Sequence, residues 1–165
     1  MSIKLDGLDK LTETKRLQYL KMKVIAQLES ETNELANFSN ITSIIYHVLK
    51  DLNWVGFYFV VEDELVLGPF QGKPACTRVG YGMGVCGTAW KEKKTMLVSD
   101  VERFPGHIAC DSDSRSELVI PLIRGGKVYG VLDIDSPIKN RFTEEDRELL
   151  EEVVSIVNKR SMGNP

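Results

Sequence analysis

Apolar residues recur at spacings of three and four through Leu17, Leu20, Val24 and Leu28, with Lys15, Arg16, Lys21 and Lys23 between them, which predicts an amphipathic helix over 11–28. A second stripe through Leu35, Phe38, Ile41, Ile45, Val48 and Leu52 predicts another over 31–52. The period then drops to two. Trp54-Val55-Gly56-Phe57-Tyr58-Phe59-Val60-Val61 is aromatic and β-branched, so a strand is expected with Trp54, Gly56 and Tyr58 on one face. Glu62-Asp63-Glu64 forms the turn and Leu65-Val66-Leu67 the returning strand, stopped by Gly68-Pro69.

Glycine and proline are frequent from Gln71 to Gly87, which predicts an irregular segment carrying Cys76 and leading into a short helix near Gly87-Thr88-Ala89-Trp90. Met96-Leu97-Val98 is a short strand. The stretch from Phe104 to Ser116 lacks apolar periodicity, and loops of that length inside a compact domain are functional or disordered. Glu117 to Ile123 and Val128 to Asp135 form a β-hairpin around Gly125-Gly126. Thr143 caps a last helix that opens on Glu144-Glu145-Asp146 and buries Leu149, Leu150, Val153, Val154 and Val157; Ser161 to Pro165 are expected to fray. This order predicts an α+β chain forming one domain over 1–165: helices in 1–52, sheet and site loops in 53–138, a closing helix in 141–160. The sheet is expected to be antiparallel, with the N- and C-terminal helices packed on one face.

Composition narrows the function. A chain of 165 residues buries a full core, roughly 70% of its unfolded surface. With 21 basic against 24 acidic side chains it has no general affinity for nucleic acid, and Lys91-Glu92-Lys93-Lys94 is too short a cluster to supply one. No run approaches the ~18 apolar residues of a membrane span, and Met1-Ser2-Ile3-Lys4-Leu5-Asp6 is not the start of a secretory signal, so a cytoplasmic protein is expected. In that reducing compartment the three cysteines, Cys76, Cys86 and Cys110, are either core residues or working thiols.

Cys86 stands between glycines and Cys110 follows Pro105-Gly106-His107, contexts in which backbone amides can lower a thiol pKa. Two loop-borne thiols fit a redox pair, in which one sulfur is oxidised and another traps it as a disulfide; three incidental cysteines fit the spacing equally well. Cys76, Cys86, Cys110 and His107 lack paired C-x-x-C spacing, so no metal site is read from them, and His107 is expected to be an exposed loop residue.

Alternation puts Asp133 and Asp135 on one strand face, which either meets water or lines a polar pocket where crowded carboxyls keep a proton to donate. A two-residue turn at Gly125-Gly126 pairs Arg124 with Lys127 and Leu118 with Asp133, which sends Glu117 to the opposite face. A bulge would reverse this, and Pro121 makes an irregularity plausible.

Taken in order, Trp54-Val55-Gly56-Phe57-Tyr58, Leu67-Gly68-Pro69-Phe70-Gln71-Gly72-Lys73-Pro74-Ala75-Cys76, Gly84-Val85-Cys86-Gly87-Thr88-Ala89, Phe104-Pro105-Gly106-His107-Ile108-Ala109-Cys110-Asp111 and Asp133-Ile134-Asp135-Ser136 closely resemble the free methionine-(R)-sulfoxide reductases, enzymes built on a GAF domain. The resemblance implies a GAF-type domain acting on the free amino acid. It implies Cys110 as the attacking thiol, Cys86 and Cys76 as recycling cysteines, and Trp54, Tyr58, Glu117, Asp133 and Asp135 as the substrate pocket. Thioredoxin is the implied reductant, and no bound cofactor is implied. Between the two recycling thiols, Cys86 is expected to close the disulfide. The competing readings are a GAF module that senses a small molecule without turnover and a thiol switch acting on a partner. An exposed stripe on the first helix is a candidate homodimer surface.

Overall fold

The structure, a computed structural model, describes residues 2–161. Two helices, α1 (Glu13–Ser30) and α2 (Glu34–Val48), precede the sheet. Each starts at a residue whose side chain accepts a first-turn amide: Thr12 from the Lys15 N–H and Asn33 from the Ala36 N–H. Strands β1 (Trp54–Val61), β2 (Glu64–Gly72) and β3 (Arg78–Gly80) lead into α3 (Gly84–Glu92). Then come β4 (Met96–Val98), β5 (Ser116–Arg124), β6 (Lys127–Ser136) and α4 (Glu144–Ser161). At the start of α4 the Thr143 hydroxyl accepts from the Asp146 N–H while the Asp146 carboxylate accepts from the Thr143 N–H, a reciprocal capping box.

The six strands form one antiparallel sheet in the order β3-β2-β1-β6-β5-β4. The alternation read from the sequence divides its two faces. Val55, Phe57, Leu118, Leu132 and Ile134 point to α1, α2 and α4 and pack on Leu20, Ile41, Ile45 and Leu150. Trp54, Tyr58, Val119 and Val131 point the other way, to α3 and the long loops. The apolar α1 stripe, Leu17, Leu20, Val24 and Leu28, is buried in the first of these cores.

Two bulges correct the strand readings. In β2 the chain does not stop at Gly68-Pro69 but pairs on to Gly72, because Phe57 stands opposite both residues between the Gly56↔Phe70 and Tyr58↔Leu67 pairs. β3 covers only Glu64 to Val66, so the missing N–H of Pro69 falls on an open edge. In the second hairpin Leu122 pairs with Gly130 but Ile123 with Val128, leaving Tyr129 as the extra residue. That one-residue slip pairs Glu117 with Asp135 and Val119 with Asp133. Glu117 therefore shares a face with the two aspartates, the outcome the simple turn geometry excludes and a bulge permits. The expected fraying of Ser161 to Pro165 falls, beyond Ser161, outside the described residues.

Candidate functional site

On the face away from α1, α2 and α4 the sheet carries a floor of Tyr58, Glu117, Asp133 and Asp135. The first turn of α3, with Gly84, Val85 and Cys86, forms one wall, and His107, Ile108, Cys110, Asp111 and Ser114 from the loop before β5 form the other. Between them lies a cavity of about 40 Å³. Since one water needs roughly 10–15 Å³ by this measure, it holds water and not an amino acid. Met83 and Ile108 stand exposed at its rim.

Two glycines let α3 sit this close. A Cβ at Gly87 would lie 2.4 Å from the Gly80 carbonyl oxygen, and Gly84 has φ +61° beneath the Ile108 side chain. No side chain caps the α3 N-terminus, whose first turn borders the cavity.

The loops are tied to β1 and to each other. Tyr58 donates its hydroxyl to the Cys76 carbonyl at 2.8 Å, and Trp54 Nε1 donates to the Lys73 carbonyl at 3.2 Å. Asn53, one residue before β1, donates to the Asp111 carboxylate and to the Ser114 hydroxyl. Lys73 and Asp113 form an ion pair at 2.6 Å between the two loops. Alongside it Cys76 and Cys110 are joined in a disulfide with Cα atoms 5.4 Å apart.

Cys86, expected to be the partner of Cys110, is instead a free buried thiol. Its place in the first turn of a packed helix turns the sulfur into the carboxyl cluster, where it is hydrogen-bonded to Asp133. Cys76 lies in an extended loop without that constraint and is half-buried, as is Cys110. Burial, and then the crowd of carboxyls, pushes the Cys86 thiol well above its ordinary range, so it stays protonated at neutral pH.

The three carboxyls respond to one another. Burial is the main cause for each, and it raises Glu117, Asp133 and Asp135 well above the usual carboxylate range. Repulsion adds to it: Asp135 acts on Glu117, Glu117 on Asp133, and Asp133 with Asp111 on Asp135. The cluster therefore retains protons near neutrality. Tyr58 is raised for the same two reasons and remains a hydroxyl donor. Asp133 Oδ1 is buried with no hydrogen-bond partner.

Of the residues singled out in the sequence, Tyr58, Cys86, Cys110, Glu117, Asp133 and Asp135 border the cavity. Trp54 is 2% exposed and stacked between Tyr58 and Phe70, a support for the floor and not part of the cavity wall in this disulfide-bonded form. Cys76 reaches the site through its bond to Cys110. His107 corrects the sequence reading: it is largely enclosed, with Nε2 3.5 Å from Glu117 Oε2, and burial lowers its pKa, so the ring is neutral at pH 7. Asp111 and Ser114 were not read as site residues, since in the sequence they look like ordinary turn formers. Only the pairing with Asn53 across the fold brings them in.

Comparison with known proteins places these features. The family profile for the GAF domain matches residues 36–158. The chain is 50% identical to Protein YtsP of Bacillus subtilis over 147 residues, covering 88% of this chain and 90% of that protein. It is 48% identical to the free methionine-R-sulfoxide reductase of Escherichia coli over 134 residues, 81% of each chain. The fold superimposes with a TM-score of 0.90 on the free methionine-R-sulfoxide reductase from Neisseria meningitidis in complex with its substrate, at 39% identity over 98% of this chain and 95% of that one.

Proposed function

This chain belongs to the GAF domain family and, within it, to the free methionine-R-sulfoxide reductases, and we propose that it reduces free L-methionine-(R)-sulfoxide to methionine at Cys110. The observation that carries this reading is the juxtaposition of Cys110 with three buried, proton-retaining carboxyls around one cavity. A sulfoxide oxygen is a poor leaving group until it is protonated, and a carboxyl held neutral at pH 7 can supply that proton.

The Cys110 thiolate attacks the substrate sulfur while a carboxyl of the cluster protonates the oxygen. The S–O bond breaks as a sulfur–sulfur bond to Cys110 forms; the released hydroxide then attacks the Cys110 sulfur of this sulfonium, the sulfur–sulfur bond breaks, and methionine departs, leaving Cys110 as a sulfenic acid. The Cys76 thiol then displaces water from that sulfur and forms the disulfide. An external dithiol, thioredoxin, exchanges with the Cys76–Cys110 bond and takes up the oxidation. One sulfoxide is consumed and one thioredoxin disulfide is formed per cycle.

The same floor suits an amino acid. An ionised member of the carboxyl cluster holds the substrate ammonium, for which the unpartnered Asp133 Oδ1 is a ready acceptor. The uncapped amides of α3 and those before Cys110 suit the substrate carboxylate. Trp54 and Tyr58 back the pocket on the β1 side. Because the cavity in the disulfide form is too small for the substrate, reduction and movement of the loop bearing Cys110 precede binding.

Thioredoxin-coupled NADPH oxidation with free methionine-(R)-sulfoxide tests the proposal. Turnover is expected with wild type and none with Cys110→Ser. Equal rates in the two proteins would remove Cys110 from the chemistry, and no turnover in wild type would favour a non-catalytic sensor or a thiol switch.

A further inference from the structure

Cys86 takes no part in the disulfide, and its surroundings outline a different use of the same cavity. Its sulfur, an oxygen of Glu117 and an oxygen of Asp133 all lie within 4.8 Å of one another on buried side chains. His107 Nε2 approaches Glu117 Oε2 at 3.5 Å. A second, independent feature points to a ligand. Asp133 is 7% exposed, borders the cavity, and has in Oδ1 an acceptor that no described residue satisfies.

One sulfur and two carboxylate oxygens make a borderline-soft, three-donor set that leaves a fourth zinc position to solvent. Zinc takes such donors at roughly 2.0–2.3 Å in a tetrahedron, which sets the donors about 3.3–3.8 Å apart. From 4.8 Å the observed triangle needs a contraction of no more than about 1.5 Å to reach that spacing. Magnesium and calcium call for six or more oxygens in a wider shell, which neither the sulfur nor the narrow cavity provides.

We propose that the cavity binds a single zinc-class divalent ion through Cys86, Glu117 and Asp133, and that this ion excludes the amino-acid substrate. The sulfur of Cys86 is independent of the Cys76–Cys110 bond, so the oxidised protein keeps the site. Binding requires no turnover, and the site stands or falls separately from the reductase reading.

The test uses the full chain with its disulfide intact, in which Cys86 is the sole thiol. Cobalt(II) titration should give a thiolate-to-metal charge-transfer band saturating at one ion per chain, and equilibrium dialysis should return one zinc per chain. Cys86→Ser should abolish the band, and Glu117→Gln, which keeps the thiol, should weaken binding by at least about tenfold. In the reduced protein, where the loop bearing Cys110 can move, free methionine in excess should displace the ion. A wild-type protein that takes up no stoichiometric metal would overturn the proposal, as would binding unchanged in both variants.

Discussion

Replacing Glu117 by glutamine should make this protein more stable at neutral pH while disabling it. In the unfolded chain the Glu117 carboxyl titrates near 4.3, whereas in the fold burial first, and Asp135 next, hold its proton on to much higher pH. Between those limits the unfolded state binds fewer protons than the native state, so stability falls as pH rises. The slope is about 1.4 kcal/mol per pH unit for each carboxyl that stays protonated. From pH 5 to pH 7 a carboxyl that keeps its proton throughout gives up at most about 2.7 kcal/mol of stability. Glutamine keeps the shape and removes that loss, and it relieves Asp133 of a neighbour that raises it. His107, lowered by burial, contributes with opposite sign in both proteins and cancels in the comparison. Urea unfolding of the disulfide-intact proteins at pH 5, 6 and 7, followed by tryptophan fluorescence, measures the difference. The variant should lose less stability than wild type over this range, by up to about 2.7 kcal/mol. Parallel pH dependences, or a wild type that gains stability toward pH 7 relative to the variant, would mean that Glu117 is ionised in the fold. Glu117 would then not be the carboxyl of the cluster that supplies the proton.

Two further consequences follow from the packing. Gly56→Ala places a Cβ 2.3 Å from the Trp54 ring and 2.6 Å from Phe70 Cβ; it should cost about 1–3 kcal/mol and raise KM, checked by urea midpoints and steady-state rates. The Cys76–Cys110 bond spans a sequence separation of 34, so reducing it should lower stability by about 4 kcal/mol through loop entropy alone. Cys76→Ser should match the reduced wild type, and an unchanged urea midpoint after reduction would show that the crosslink constrains little.

What the sequence disclosed follows from how local each signal is. Periods of 3.6 and 2 located the helices and strands because burial on one face repeats along the chain, and that pattern alone separated Val55 and Phe57 from Trp54 and Tyr58. The position of Glu117 depended on a single extra residue at Tyr129, and Pro121 two pairs away was the only local trace of it. The choice between Cys76 and Cys86 was not local at all. Gly84-Val85-Cys86-Gly87 looks like a loop that presents a thiol, yet the two glycines permit close helix packing that buries it. Cys76 meets Cys110 across the fold. His107 was missed for the same reason: three positions along an irregular loop set no distance to Glu117, a contact made by the path of the loop over β5.

The central claim is that Cys110 takes the oxygen and Cys76 relieves it. Prereduced protein mixed with one equivalent of free methionine-(R)-sulfoxide, without thioredoxin, and then quenched and mapped by mass spectrometry, tests both halves in a single turnover. One methionine is expected for each Cys76–Cys110 disulfide formed, with Cys86 still a free thiol. Methionine accompanied by a Cys86–Cys110 bond, or by no disulfide at all, would contradict it.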